Sequence, residues 1–287
     1  MAMLEGDYEE AKRQAKLSEE GFRQAGELKK LSLQLLYNAD VFLSTGEIEE
    51  VFRLLREAEE LNRTSPDPLT GMEVDFHLGM AYLHQGRTEE AMQHYHAYGE
   101  MCKKLGLESA LAIVHLYESL AMSLAGEQEQ AILLAGDSRE IAFKLERAYL
   151  KAGSTAALAH AHYMAGNRGE LERYAAEAEE MASKFDKGVR TANIGMVRLA
   201  CAEAALTKDD WIKAESCYKE AIDIFHATAI GKLMEGMTMM WYGEQLGSHR
   251  KKSEGRGQIE GAAVIFSHLG NQEKLDICHN HLQFFRA

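Results

Sequence analysis

The sequence predicts an all-α protein, a right-handed α-solenoid (superhelix) of antiparallel helix pairs with a period of about 40 residues. Three observations predict it: a turn pattern recurs at a fixed distance, a second glycine often lies halfway between two turns, and small residues recur at matching positions. The composition agrees, because 46% hydrophobic residues, 24 glycines and only two prolines suit helices that end at glycine.

The recurring turn is a glycine followed five residues later by alanine or another apolar residue. The first five copies are separated by four steps of 40 residues each. The spacing then loosens, and Asp209 and Arg250 take the place of the glycine in the last two copies. The seven turns therefore begin at Gly6, Gly46, Gly86, Gly126, Gly166, Asp209 and Arg250.

A second glycine divides several units into two helices. Gly106 follows a basic stretch, Lys103-Lys104-Leu105, which is typical of a helix C-terminus. Gly26 and Gly188 hold equivalent positions. The spacing predicts inner helices near 27–44, 69–84, 109–124, 151–164, 189–206 and 229–247. It predicts outer helices near 7–24, 47–63, 87–104, 127–148, 167–186, 210–226 and 251–268.

The segment Leu78-Gly79-x-x-Tyr82-x-x-x-Gly86, followed by Ala91 and Tyr95, resembles the tetratricopeptide repeat. Small residues at two positions of each unit let neighbouring helices approach closely. The resemblance covers nearly the whole chain, and it implies a fold more than a function. The small residues are Ala39, Gly79, Ser119, Ala159, Ala202 and Gly243 in inner helices, and Ser18, Ala58, Ser138, Ala178, Ala221 and Ala262 in outer helices, with Tyr98 as the exception.

A narrower resemblance rests on the long period and on the C-terminus. The usual tetratricopeptide period is about 34 residues, and its terminal proline is missing here. The run Ala262-Ala263-Val264-Ile265-Phe266-x-x-Leu269-Gly270, followed by one more helix, is similar to long-period arrays at the C-terminus of bacterial regulators. These are MalT-like ATPase regulators and cyclases with tetratricopeptide tails. The resemblance implies a regulatory module of a larger signalling or transcription protein.

The two ends of the chain predict different environments. Residues 1–287 form one array that starts within a repeat, so the predicted helix 7–24 lacks its inner partner and would be marginal alone. We therefore expect a fragment of a longer protein, or a helix that docks on another domain or self-associates. Within 271–287, Leu275, Cys278, Leu282 and Phe285 form one apolar stripe, which predicts a C-terminal capping helix.

Charge and motifs argue against several functions. The net charge of −13 disfavours nucleic acid and anionic membranes as partners. No secretory signal is seen, and four widely separated cysteines favour free thiols, so the sequence predicts a cytoplasmic protein. The chain carries no phosphate-binding loop or nucleophile elbow, and its histidine pairs at i, i+2 point apart on a helix. We therefore expect no enzyme, no metal and no cofactor.

The inner helices should line a concave groove, as the resemblance implies. A mixture of apolar and few charged groove residues suits a bound peptide or helix. The leading hypothesis is a non-catalytic scaffold for protein–protein interaction, with a protein or peptide partner. The alternative is an effector-sensing array for small molecules, suggested by His160, Tyr163 and Arg198 in one stretch of groove. The predicted groove residues are Leu36, Asp40, Leu43, Phe76, Met80, Leu83, His84, Ala156, His160, Tyr163, Arg198, Glu203, Met240 and Glu244.

Overall fold

The computed structural model describes residues 8–185, 191–228 and 231–285. Within these ranges the protein is all-α, with fourteen helices and no strand. The predicted turn at Gly6 and the half-repeat glycine Gly188 lie outside the described residues. The helices are α1 (Tyr8–Ala25), α2 (Leu28–Thr45), α3 (Ile48–Thr64), α4 (Pro68–His84), α5 (Thr88–Leu105), α6 (Glu108–Ala125), α7 (Gln128–Lys144), α8 (Ala148–Met164), α9 (Arg168–Ala182), α10 (Ala192–Thr207), α11 (Trp211–His226), α12 (Lys232–Ser248), α13 (Lys252–His268) and α14 (Gln272–Phe284).

Consecutive helices pack against each other as antiparallel pairs, because most of the connecting turns are only a few residues long. The even-numbered helices α2 to α12 are the inner ones, and successive inner helices also contact each other from unit to unit, as α6, α8 and α10 do. The odd-numbered helices form the outer layer. This arrangement confirms the predicted solenoid of helix pairs.

The turns explain the period. Seven described glycines have positive φ at helix ends, including Gly86 and Gly126 at 77° and 87°. This left-handed conformation ends the helix and turns the next N–H back to a carbonyl of the last turn. Asp209 and Arg250 have φ of 54° and 63°, so the prediction that they replace the turn glycine is confirmed.

Two predicted outer helices end four residues early. The helix expected over 167–186 ends at Ala182. The outer helix expected over 127–148 ends at Lys144, because Glu146 adopts φ of 55° and the next helix begins at Ala148. A glutamate carries a steric cost in this conformation, and no glycine marked the turn in the sequence. Glu146 lies 20 residues after Gly126, at the half-period position.

The predicted small residues do lie at close helix contacts. Ala159 and Ala202 have no exposed surface. Gly79 lies against the ring of Tyr95, so that a Cβ atom at Gly79 would stand only 2.5 Å from Tyr95 Cε1. Gly243 approaches Ile259 in the same way, at 2.6 Å from Cγ1. Larger side chains would force these helix pairs apart.

The superhelix closes on itself. One hydrophobic core joins buried residues of α2 to α6 with buried residues of α12 to α14. The inner helices α12 and α2 are in contact, and the side-chain amide of Asn271 donates a hydrogen bond to the carbonyl oxygen of His84 at 3.0 Å. Because the first and last described repeats meet, much of the inner surface is interior and is not an open channel.

Candidate binding site in the interior of the superhelix

A cavity of about 620 Å³ lies where several inner helices begin or end. Its wall is built from the last turn of α4, the first part of α6 and the first turns of α8, α10 and α12, with Phe225 from α11. The half-repeat turns place these helix starts side by side, so the 20-residue spacing positions the site.

Most of the wall is apolar. Ile113 and Tyr149 are 39% and 41% exposed, which gives solvent access to the cavity on their side. Deeper in the wall, Met196, Leu233 and Met234 are buried. A concave apolar surface with a few convergent polar groups is the usual form of a ligand site. The apolar lining includes Leu83, Ile113, Leu116, Leu120, Leu150, Met196, Phe225, Leu233 and Met234.

His84 is a buried polar group in this wall, only 2% exposed. Its Nδ1 lies 2.8 Å from the carbonyl oxygen of Met80, one helical turn earlier, so Nδ1 carries the hydrogen and donates it. Burial lowers the pKa of His84 to about 4, and the ring is therefore neutral at pH 7. Its Nε2 is an acceptor that has no hydrogen-bond partner among the described residues.

Arg147 is the one charged residue among those that line the cavity in the described ranges. It is the N-cap residue of α8, and no described residue forms an ion pair or hydrogen bond with its guanidinium. Asn193, in the first turn of α10, also lines the cavity. The starts of α8 and α10 present the positive ends of two helix dipoles to the same space.

Nine of the fourteen predicted groove residues are buried within the packed interior: Leu36, Leu43, Met80, Leu83, His84, Ala156, His160, Glu203 and Met240. Of the fourteen predicted groove residues, only Leu83 and His84 line the large cavity. Glu244 lines a smaller cavity of about 350 Å³ between α12 and α14, where its carboxylate lies 3.1 Å from Nδ1 of His281. Binding of a partner by the others stays a prediction.

Several predicted groove residues instead pair with one another or with neighbours. His160 Nδ1 lies 2.7 Å from Glu203, and burial raises the pKa of the Glu203 carboxyl. Tyr163 is half-buried nearby, and desolvation followed by the charge of Glu203 raises its pKa to about 12. His160, Tyr163 and Glu203 therefore lie close together in the structure.

Two further predicted residues lie among other groups. Asp40 lies 3.2 Å from Nε2 of His77, and the Phe76 ring packs against Tyr98 and Tyr117, with ring centres 5.0 and 5.2 Å apart.

Arg198 lies apart from His160. Its guanidinium pairs with Glu220 of α11 at 3.0 Å and with Glu179 of α9 at 3.7 Å. Both partners belong to outer helices, so Arg198 does not share a stretch of groove with His160 and Tyr163.

Arg147 and its neighbours in the cavity were missed from the sequence. The available signal was the half-period: counting 20 residues from Gly126 gives Glu146, which places a helix start at Arg147 and Ala148.

The predicted unpaired helix 7–24 corresponds to α1, which packs on α2 and leaves Leu17 half exposed. Self-association through this helix stays a prediction.

Two properties of the described ranges concern metals and membranes. No group of three or more histidine, cysteine, aspartate or glutamate side chains is arranged there to hold a metal ion. In the same ranges, no helix combines the length and apolar character needed to cross a membrane. The four cysteines are all buried and free of disulfide bonds.

Comparison with known proteins gives the fold. No protein-family profile matches the chain. No curated protein matches it by sequence. Among solved structures, BtubC (BKLC) from P. vanneervenii is 19% identical, with a TM-score of 0.61 over 76% of this chain and 90% of its own. A Rap protein in complex with Competence and Sporulation Factor is 15% identical, with a TM-score of 0.60 over 91% and 79% of the two chains.

A third similar structure is a signal-transduction ATPase with numerous domains from Pyrococcus horikoshii, which carries a tetratricopeptide repeat sensor. It is 14% identical, with a TM-score of 0.55, and the match covers 96% of this chain but 47% of that longer one. The chain therefore has the fold of tetratricopeptide-type helical repeat proteins, as its repeat pattern predicted. The narrower resemblance to MalT-like and cyclase-associated arrays stays a prediction.

Proposed function

We propose that the protein is a non-catalytic binding scaffold that receives an apolar segment of a peptide or protein partner in its interior cavity. The observation that carries the proposal is the cavity of about 620 Å³ with apolar walls and solvent access at Ile113 and Tyr149. Ligand sites in proteins usually measure about 300–1,000 Å³.

The position of the cavity supports the proposal. Its walls come from α4, α6, α8, α10 and α12, so a segment that enters it contacts five inner helices at once. A Rap protein of the same fold forms a complex with Competence and Sporulation Factor, which supports use of this fold to hold a factor. Burial of apolar side chains in such a site supplies roughly 25 cal/mol per Å² of area removed from water.

In this proposal, residues 1–287 form a single array that serves as a regulatory module of a longer signalling or transcription protein, with 271–287 as the capping helix. The partner is a soluble protein or another domain of the same chain, in the cytoplasm. The net charge of −13 supports a protein partner over nucleic acid.

Peptide selection tests the proposal without a known partner. A random peptide library displayed on phage is selected against the wild-type protein, and the affinities of the selected peptides are measured by calorimetry. Ile113→Trp fills the mouth of the cavity with a larger side chain. The matched control is Ile212→Trp, because Ile212 is 84% exposed on the outer helix α11.

We expect peptides that bind Ile113→Trp at least about tenfold more weakly than the wild type, a loss of about 1.4 kcal/mol. Ile212→Trp should bind them as the wild type does. Selected peptides that bind all three proteins equally would contradict the proposal, as would a selection that yields no binder.

The size of the cavity also favours a second candidate, a small apolar effector. A metabolite that raises the melting temperature of the wild type, but not of Ile113→Trp, would support this function. A screen in which no metabolite raises the melting temperature of the wild type in this way would contradict this second function.

A further inference from the structure

Two of the four buried cysteines lie side by side. Cys201 belongs to the inner helix α10 and Cys217 to the outer helix α11, and these helices pack against each other as an antiparallel pair. Both side chains belong to one hydrophobic core, and the thiol of Cys201 donates a hydrogen bond to the sulfur of Cys217. Cys102 and Cys278 lie in the separate core that joins the two ends of the superhelix.

The two helices approach closely at this point. Ala202 follows Cys201 in α10, and Ala214 and Ala221 lie one turn before and one turn after Cys217 in α11. None of the three alanines has exposed surface. Small residues let two helices approach closely, and a disulfide bond requires this because the Cα atoms that it joins stand about 4.4–6.8 Å apart.

Charged side chains surround the cysteine pair and join three helices. The ammonium group of Lys213 in α11 lies 2.9 Å from the carboxylate of Glu179 in α9. The guanidinium of Arg198 in α10 lies 3.0 Å from Glu220 in α11 and 3.7 Å from Glu179. The side chains of Lys213 and Glu220 are about half exposed, so this ion-pair network reaches the solvent. Two cations therefore lie near thiols that are otherwise enclosed by apolar residues.

The contacts of the pair favour one thiolate over the other. The hydrogen bond from Cys201 lowers the pKa of the Cys217 thiol, against the opposing effect of burial. The charges of Lys213 and Arg198 lower this pKa further. The same hydrogen bond raises the pKa of Cys201. Because the thiolate is the nucleophilic form of cysteine, Cys217 is the sulfur that reacts first.

We propose that Cys201 and Cys217 form a reversible disulfide bond when the protein meets hydrogen peroxide. The Cys217 thiolate attacks one peroxide oxygen, the O–O bond breaks, and Cys217 becomes a sulfenic acid. The hydroxide that leaves takes up the proton that Cys217 had released. The Cys201 sulfur then attacks the Cys217 sulfur, the S–OH bond breaks, and this hydroxide leaves as water with the proton of Cys201. The two thiols lose two electrons, and the peroxide is reduced to two molecules of water.

This chemistry is independent of the proposed binding function, and its site lies outside the cavity wall. It also separates this pair from the other two cysteines. Cys201 and Cys217 retain 3% and 4% of their exposed surface, whereas Cys102 retains 1% and Cys278 none. A buried thiol without a neighbouring thiol or cation is ordinarily inert.

Mass spectrometry of the full chain tests the proposal. The reduced protein is treated with dilute hydrogen peroxide, its remaining thiols are alkylated in denaturant, and it is digested with trypsin in the absence of reductant. Cys201 and Cys217 fall in separate tryptic peptides, residues 199–208 and 214–219. We expect the intact mass to fall by two hydrogen atoms and these two peptides to be recovered as a linked pair. Dithiothreitol should restore the reduced mass.

Variants of the cysteines test the order of attack. Cys201→Ser should accumulate a sulfenic acid at Cys217, which dimedone traps, whereas Cys217→Ser should leave Cys201 reduced. The matched control is the double variant Cys102→Ser/Cys278→Ser, which should form the disulfide as fast as the wild type does. In the wild type, the pair should be oxidised at least about tenfold faster than the other two cysteines.

Several results would overturn the proposal. One is a protein that stays folded by circular dichroism and keeps all four thiols open to alkylation after peroxide treatment. Another is oxidation of Cys102 or Cys278 at the same rate as the pair, or a disulfide that links two chains. A sulfenic acid that forms at Cys201 in Cys217→Ser as fast as at Cys217 in Cys201→Ser would overturn the order of attack.

Discussion

The side chain of Asn271 joins the two ends of the described superhelix through His84. Its Nδ2 donates to the His84 carbonyl oxygen at 3.0 Å across a sequence separation of 187 residues, and its Oδ1 accepts from the backbone N–H of Lys274 at 3.2 Å. Asn271 is only 1% exposed. One side chain therefore caps α14 and also satisfies a carbonyl at the end of α4.

We expect Asn271→Ala to lower the free energy of unfolding by about 2 kcal/mol. Loss of the cap accounts for about 1 kcal/mol, and loss of the buried hydrogen bond accounts for about 1 kcal/mol more. Urea unfolding followed by circular dichroism measures the difference.

The matched control for this change is Asn167→Ala. Asn167 occupies the same N-cap position at the start of α9, but it is exposed and its side chain makes no cap hydrogen bond. Asn167→Ala should lower the free energy of unfolding by less than about 0.5 kcal/mol. Equal losses for the two variants would show that Asn271 does not hold the ends together.

Gly79→Ala should destabilise the protein by about 1–3 kcal/mol, because the new methyl group would stand 2.5 Å from Tyr95 Cε1 at a helix contact. Gly136→Ala is the opposite case. Gly136 lies inside α7 with open space around it, so alanine should raise the stability by about 0.5–1 kcal/mol. Thermal and urea unfolding of both variants test the pair. Equal effects would mean that close helix packing does not limit this position.

Arg250→Gly should stabilise the protein by about 1 kcal/mol. Arg250 adopts φ of 63°, a conformation that costs an L-residue roughly 1–2 kcal/mol and glycine little. Arg250→Ala is the control, since it removes the same side chain and keeps the strained backbone. The midpoint of urea unfolding measures the effect. If Arg250→Ala raises this midpoint as much as Arg250→Gly does, the stabilisation comes from removal of the arginine side chain and not from relief of the backbone strain.

His84 makes stability depend on pH. Its pKa in the folded protein is about 4, below its usual value of 6.5. Between these values the unfolded chain binds a proton that the folded protein does not, so stability is lost as the pH falls from 6.5 towards 4. The loss is about 1.4 kcal/mol per pH unit within that window.

His84→Phe should remove this part of the acid sensitivity. The stabilities of wild type and variant, measured by urea unfolding at pH 7, 6 and 5, should converge or cross as the pH falls. Parallel curves for the two proteins would show that His84 is not buried in the neutral form. The comparison between variants cancels the titration of the other histidines and carboxyls.

The repeat itself could be predicted because each turn depends on the conformational preference of the residue at that position. Gly46, Gly86 and Gly126 mark turns that require positive φ, and Asp209 was found by extrapolating their spacing. Glu146 could not be predicted in this way, because its positive φ is unfavourable for a glutamate and no glycine marks the position.

The site was harder to predict. The small rotation between successive units adds up until α12 reaches α2, and no local pattern encodes that sum. Groove positions such as Met80 and Met240 were therefore expected to be accessible and are buried. Arg147 looked like an ordinary residue of a long outer helix, and only the correct helix start places it at the cavity.

Closure of the superhelix also constrains how the protein can evolve. Open repeat arrays commonly grow or shrink by duplicating or deleting whole units, since each unit touches only its neighbours. Here one additional unit of about 40 residues between α4 and α12 would separate Asn271 from His84 and break the shared core. These contacts therefore fix the number of units between α4 and α12.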